Sequence, residues 1–391
     1  MRNTGMTKLH PLTEMYRPHK GVTRQIVEEG NRICLVLDTP FNRPDVDGVP
    51  FDQINHFRTL PESHAEIWPD IVNGKIKLIL MFTDWWHTVN ANETHKQQSG
   101  NLISLDLYKV CYEFCKKHNI LDSSAFISPS SINYVEQYSD WPIFNYNEPF
   151  NRYFEYTEEI LAFSNTSNIE KHFLWLNRRS REHRLYALHQ AYKMNLFDNC
   201  LYSLHDLENF TDEEFIKFLS AYLNFEDINL EFRKLKKRLD EHYDQNSGLQ
   251  RMKEINDLKY YSDKTYVDII GEFNCSNQKV FLTEKTSRAI ALGKPFVIFG
   301  DRGSLYELRS LGFRTFDKFW DESYDKLDTA KQRIDRALQT LDWIRNNIDI
   351  TQGYSNEMIK VLEFNKEHYF KKYKPQQTEL LRTAISCTHK K

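Results

Sequence analysis

No stretch of this 391-residue chain approaches the run of about 18 apolar residues that crosses a bilayer, so no membrane span is expected. The opening residues, MRNTGMTKLHPLTEMY, lack the apolar segment of a secretory signal, which points to a cytoplasmic protein. Cysteine is scarce: six residues form no disulfide framework, and reduced thiols fit that compartment. Cys111 and Cys115 stand four apart in LDLYKVCYEFCKKHNI, where they read as buried helix residues or as metal ligands. No second Cys or His pair at zinc spacing accompanies them, which favours burial. Charge of one sign is also missing, since the formal net charge is −3. That balance argues against a chain coated in nucleic acid but leaves room for a local basic groove. Three motifs are absent: the G-x-x-x-x-G-K-S/T phosphate loop, G-x-G-x-x-G after a strand, and the G-x-S-x-G elbow. P-loop hydrolysis, standard dinucleotide binding and α/β-hydrolase chemistry lose their support with them.

Apolar residues make up 40% of the chain, ample for real cores. They fall in short runs closed by polar residues, the pattern of parallel strands buried on both faces. In the first half these are ICLVLD (Ile33–Asp38), IKLILMFTD (Ile76–Asp84), AFISPS and WPIFNY, with helices expected at VTRQIVEEGN, around Cys111 and entering SINYVEQYSDW. In the second half they are FLWLN (Phe173–Asn177), LYSL (Leu201–Leu204), YVDIIGEF (Tyr266–Phe273) and PFVIFG. Residues from about 210 to 258 form a charged helical insertion. DKLDTAKQRIDRALQTLDWIRNN reads as one long amphipathic helix carrying Leu327, Ile334, Leu338, Leu341 and Ile344 on its apolar stripe. Strands alternating with helices give an α/β chain. We expect two Rossmann-like domains facing across a cleft: 1–168 for the acceptor, 169–375 for a donor, and a tail at 376–391. In such folds ligands sit outside the carboxyl ends of the strands, so the informative residues follow each strand.

Two strand ends stand out. FLWLNRRSREHR releases Asn177, Arg178, Arg179, Arg181 and Arg184 where a helix begins. Cations there oppose the helix dipole, and a multiply charged anion bound between them would resolve the conflict. Solvation, or pairing with Glu182, is the competing explanation. The second is FLTEKTSRAIALGKPFVIFG, which follows the strand ending at Glu272. Thr283 suits an N-cap, Glu284 the acidic first turn and Gly293 the C′ position. Glu284 and Arg288 also have i,i+4 spacing, a purely local use for both. Lys285 has no such use at a helix start, and the loop after PFVIFG, Gly-Asp-Arg-Gly-Ser, permits close backbone approach.

This second segment resembles the donor-binding motif of the α-1,3-fucosyltransferase family, a Y-V-T-E-K segment opening a helix that leads to a P-V-V-L-G-like strand. The shared residues are Thr283, Glu284, Lys285, Pro295 and Gly300. FLWLNRRSREHR resembles the family's upstream segment, and residues through GSLYELRSLGFRTFDKFWDESYD are similar to uncharacterised virus-encoded proteins associated with glycosyltransferases. The likeness covers roughly 170–325. The family's E-N-S is matched only by Glu272–Phe273–Asn274, interrupted and at a longer spacing, so fucose is not inferred.

The resemblance implies a two-Rossmann-domain (GT-B) glycosyltransferase that takes a nucleoside-diphosphate sugar as co-substrate, with no metal required and no other cofactor. Glu284 would meet the ribose, and Lys285 or Arg184 the diphosphate. Glu284→Ala and Arg184→Ala are expected to weaken donor binding with the fold intact. Asp38, Asp84 and His87, at or just beyond N-terminal strands, are the candidates for deprotonating the acceptor hydroxyl, although an Asp at a strand end also serves as a turn residue. The resemblance to virus-encoded proteins implies a hydroxymethylated base in viral DNA as one candidate acceptor (in host cytoplasm, if the chain is viral), and a glycan or a protein is the other. DWWHTVN offers Trp85 and Trp86 for stacking on a sugar or base, or as a hydrophobic plug. Two rivals remain. One is a metal-dependent transferase using Asp45–Val46–Asp47; the other is a non-catalytic nucleotide- or glycan-binding protein that kept the fold. The basic stretch FRKLKKRLDEHY alternates with acids and reads as a solvated face.

Overall fold

The computed structural model describes residues 23–29, 32–38, 60–63, 65–81, 95–96, 102–103, 107–128, 141–145, 148–151, 169–177, 181–204, 210–235, 258–275 and 280–386. It is an α/β structure in which helices alternate with largely parallel sheets. The chain divides into two compact units, Met1–Glu155 with Lys374–Lys391, and Tyr156–Tyr373. No helix among the described residues is long and apolar enough to cross a membrane.

The first unit holds a five-stranded sheet, in the order β1 (Thr23–Glu29), β2 (Arg32–Asp38), β3 (Ile76–Met81), β6 (Ser124–Ser128) and β7 (Ile143–Asn145). A two-stranded ladder of β4 (His95–Lys96) and β5 (Leu102–Ile103) lies between β3 and β6 in the chain. β2, β3, β6 and β7 run parallel. β1 corrects the helix expected at VTRQIVEEGN: it pairs antiparallel with β2 from Thr23↔Asp38 to Glu29↔Arg32. Thr23, Ile26 and Val27 are β-branched, and a partner strand two residues away in sequence satisfies the backbone that a helix would otherwise have closed locally.

Helix α1 (Leu107–Lys117) brings Cys111, Phe114 and Cys115 onto Ile76, Leu78, Leu80, Phe126 and Trp141, making the core of this unit. Both cysteines are buried and neither forms a disulfide, and burial pushes the Cys115 thiol up to about 12, the behaviour of a packing residue. The Trp141 indole donates to Ser124 Oγ at 2.9 Å.

The second unit is a four-stranded, wholly parallel sheet in the order β11 (Phe296–Phe299), β10 (Thr265–Gly271), β8 (Lys171–Asn177), β9 (Cys200–Leu204). From β8 the chain passes through α2 (Glu182–Lys193) to β9 on one side. It then travels through α3 (Asp212–Leu219) and enters β10 on the other side of β8, continuing through α4 (Glu284–Ala291) to β11. The direction of winding therefore reverses between β8 and β10. Right-handed crossovers put α2 and α4 on opposite faces. Helix α5 (Ser304–Ser310) follows β11, then α6 (Ala330–Asn347) packs on α2 and β11 while α7 (Asn356–Glu367) packs on α4.

Local signals place several boundaries. α4 ends in a Schellman arrangement: Gly293, at φ 65°, donates to Ile290, and Lys294 N donates to Ala289 O at 2.8 Å. α6 begins only at Ala330 because Thr329 and Gln332 form a capping box, which leaves Leu327 outside the helix. Ile334, Leu338, Leu341 and Ile344 are buried as their spacing predicts. The tail expected from 376 is helical as far as Ser386, in α8 (Lys374–Ser386), which groups with the first unit; Asn151 Nδ2 donates to Gln377 Oε1 at 3.4 Å.

Candidate functional site

The reversal of winding places the ends of β8 and β10 side by side, the position at which open α/β sheets bind ligands. β8 ends at Asn177, which is buried opposite Leu204. β10 ends at Gly271, and Glu272 follows with its amide held by Phe299 O at 2.9 Å. Four consecutive buried residues of β11 and seven of β10 make this edge rigid.

The Glu272 carbonyl is the meeting point. Arg184, from the first turn of α2, donates to it through Nε at 3.2 Å and Nη2 at 2.7 Å. His183 Nε2 lies 3.1 Å from the same oxygen, so the neutral ring carries its proton on Nε2. The close approach needs a glycine: a Cβ on Gly271 would stand 3.3 Å from Arg184 Nε. Arg181 occupies the N-cap position of α2 without a side-chain cap, and its guanidinium carbon sits 3.5 Å above the centre of the Phe273 ring. Arg178 and Arg179 lie outside the described residues.

The Glu272 carboxylate is 1% exposed and turns the other way, onto the start of α4. It accepts from Thr283 N at 3.0 Å, from Thr286 Oγ1 at 2.5 Å and from the Thr283 hydroxyl. Thr283 is the N-cap, as its sequence position implies, accepting from Lys285 N at 3.4 Å. Lys285 Nζ lies 3.2 Å from Thr283 Oγ1 and 2.9 Å from Glu284 Oε1. Glu284 and Lys285 are both half-buried, with side chains 30% and 23% exposed, and thus remain accessible.

Electrostatics tie the two helix starts together. Burial pushes His183 down to about 3, reinforced by the positive charges of Arg184, Arg181 and Lys285 and opposed by its bond to the Glu272 carbonyl. Burial also lowers Arg184, against the pull of Glu272 and Glu284. Arg184 and Glu284 therefore act on one another across the strand ends. Three cations, Arg181, Arg184 and Lys285, and two carboxylates, Glu272 and Glu284, surround a neutral imidazole at the carboxyl edge of the sheet.

Arg288 departs from the local pairing with Glu284 that its spacing offers. Its Nη2 reaches 3.5 Å from Asp268 Oδ2, while Glu284 pairs with Lys285. Asp268 sits in mid-strand between Leu174 and Phe296 and is completely buried, so a cation on the sheet-facing side of α4 is drawn inward. Lys294 joins this buried group, donating to Tyr354 OH at 2.7 Å and to Thr265 O. Arg184 is only 3% exposed, so its replacement by alanine would empty a packed position as well as remove a charge. The expectation that the fold survives this change untouched is therefore withdrawn.

Sequence pattern assigns no role to His183, inside SREHR, or to Gly271, and marks Phe273 only as the interruption in Glu272–Phe273–Asn274. The same holds for Arg333 of α6, 3% exposed, which donates from Nε to Gly300 O at 3.3 Å and from Nη1 to Leu327 O at 2.9 Å. Its signal was legible, since an arginine at 333 shares the helical stripe of Ala337, Leu341 and Ile344.

Asp38 closes β2, level with Met81 of β3. Asp84, His87, Trp85, Trp86, Asp45 and Asp47 lie outside the described residues. Among the described residues no three His, Cys, Asp or Glu side chains gather as a metal site would require. Compared with models of known families and with curated proteins, the chain matches none.

Proposed function

We propose that the second unit binds a nucleoside-diphosphate sugar and that the protein is a glycosyltransferase of the two-Rossmann-domain (GT-B) kind. One observation carries this reading: a cationic helix start and the Thr283–Glu284–Lys285 helix start converge on one residue, Glu272, where the winding of a parallel sheet reverses. Lys285 and Arg181 meet the diphosphate, Arg184 adds its charge from beneath, and Glu284 accepts from the ribose hydroxyls. Transfer breaks the bond between the anomeric carbon and the diphosphate oxygen and leaves negative charge on the phosphate. Fixed cations around a neutral His183 stabilise that charge without reorganising. The acceptor oxygen bonds to the anomeric carbon as its hydroxyl loses its proton to a base, for which Asp38, Asp84 and His87 are the candidates. The acceptor in this proposal is a hydroxymethylated DNA base, a glycan or a protein.

The reading is tested by thermal unfolding with UDP-, GDP-, ADP- and dTDP-linked sugars, followed by release of the nucleoside diphosphate. A donor at about 100 times its dissociation constant stabilises by about 2.7 kcal/mol. Glu284→Ala and Lys285→Ala are each expected to weaken that donor by about tenfold, since a hydrogen bond to a charged group contributes at least about 1.5 kcal/mol, and to leave ligand-free unfolding nearly unchanged. If no nucleotide sugar shifts unfolding, or both variants keep the full shift, the site is misassigned. Binding with no nucleoside diphosphate released would favour a non-catalytic binding protein.

A further inference from the structure

We propose that Glu272 is the positioning residue of this site: it touches no ligand, and it sets Lys285 through Thr283 while holding Arg184 through its carbonyl. The inference rests on the nucleotide-sugar reading for its ligand, but its geometry stands apart from it.

The hydrogen-bond inventory forces the direction of the relay. Thr283 has one hydroxyl proton, and a carboxylate can only accept, so that proton goes to Glu272 Oε2. The lone pairs of Thr283 Oγ1 are then turned towards Lys285 and accept from its amide at 3.4 Å and its ammonium at 3.2 Å. Lys285 in turn holds Glu284 at 2.9 Å. Glu272 Oε1 takes the Thr283 amide and the Thr286 hydroxyl, which secures the first turn of α4. With three donors on a carboxylate that is 1% exposed, Glu272 is committed to protein groups. Replacing it by glutamine puts an NH2 where Oε2 was. The Thr283 hydroxyl must then accept from that NH2 and turn its own proton elsewhere, which takes a lone pair from Lys285.

Inorganic pyrophosphate, titrated by calorimetry, and amide hydrogen exchange of the ligand-free protein test this together. Glu272→Gln and Lys285→Ala are each expected to weaken pyrophosphate by about tenfold, the worth of one charge-assisted hydrogen bond. The double variant should bind no more than about threefold worse than Lys285→Ala alone, because Glu272 acts through Lys285. Exchange of the Lys285 amide, which loses its acceptor on Thr283 Oγ1, should speed up in Glu272→Gln and stay unchanged in Lys285→Ala. Thr283→Val should reproduce the loss, and Thr283→Ser, which restores the hydroxyl, should recover it; this pair also serves if Glu272→Gln fails to fold. A general loss of stability would lower the melting temperature without making the two losses non-additive. Additive losses, about a hundredfold in the double variant, would overturn the proposal, because Glu272 would then be acting on the ligand itself. Unchanged exchange in Glu272→Gln would overturn it too. If no protein binds pyrophosphate or any nucleotide sugar, the functional reading fails, and the exchange data alone decide whether Glu272 positions α4.

Discussion

Asp268→Ala is expected to destabilise the second unit by about 3–5 kcal/mol, the cost of stripping one partner from a buried ion pair. Asp268 lies in the middle of β10, and its partner among the described residues is Arg288, whose Nη2 stands 3.5 Å from Oδ2. Burial pushes its pKa up, against the opposing charges of Arg288 and Lys294. Lys294 has already been brought down to about 8, with Asp268 as the charge that resists the fall. Removing the carboxylate leaves two buried cations without it and empties a position between Leu174 and Phe296. Asp268→Leu combined with Arg288→Met should regain most of the loss, because apolar replacement of a whole buried pair is often neutral. Denaturant unfolding at pH 7 decides the matter. A single-variant loss under about 1 kcal/mol would mean that the pair is solvated, as exposed pairs are.

The second large effect is a dependence on pH. His183 is neutral in the folded protein down to about 3, because burial and the neighbouring Arg184, Arg181 and Lys285 disfavour its charged form. The unfolded chain takes up that proton near pH 6.5. Between these values the unfolded state binds more protons, so stability rises with pH through the window and falls on acidification. The contribution is complete above about pH 6.5 and is lost as pH drops towards the folded value, by about 2 kcal/mol at pH 5. His183→Gln keeps a donor for the Glu272 carbonyl and removes the titration. Its unfolding free energy should therefore fall less than that of the native protein between pH 7 and pH 5, by about 2 kcal/mol. Parallel pH profiles for the two proteins would show that the imidazole is solvated.

Most of the strands were legible as short apolar runs, because burial on both faces imposes a composition that any window of the chain displays. Helix ends were legible for a similar reason. Thr283, Gly293 and Thr329 act on backbone groups within a few residues of themselves, so their chemistry is visible locally. β1 was not, because Thr23–Glu29 is a strand only through its pairing with β2. The candidate site was half legible. Its segments are visible in the sequence, but spacing pairs Arg288 with Glu284, whereas its partner, Asp268, lies 20 positions away on another element. The role of Arg333 is not local either, because only its donation to Gly300, 33 positions distant, shows what a charge on an apolar stripe is for.

The amino-acid sequence by itself determined where most of the strands and helices form, β1 excepted, and that two cation-bearing segments follow β8 and β10, since these depend on near neighbours. Only the tertiary structure decided that β8 and β10 lie side by side, that the winding reverses between them, and that Glu272 collects both segments. Strand order and charge burial are set by contacts between residues far apart in the chain, His183 and Arg184 with Glu272 at 89 and 88 positions among them, and no local pattern records which partner a distant residue will meet.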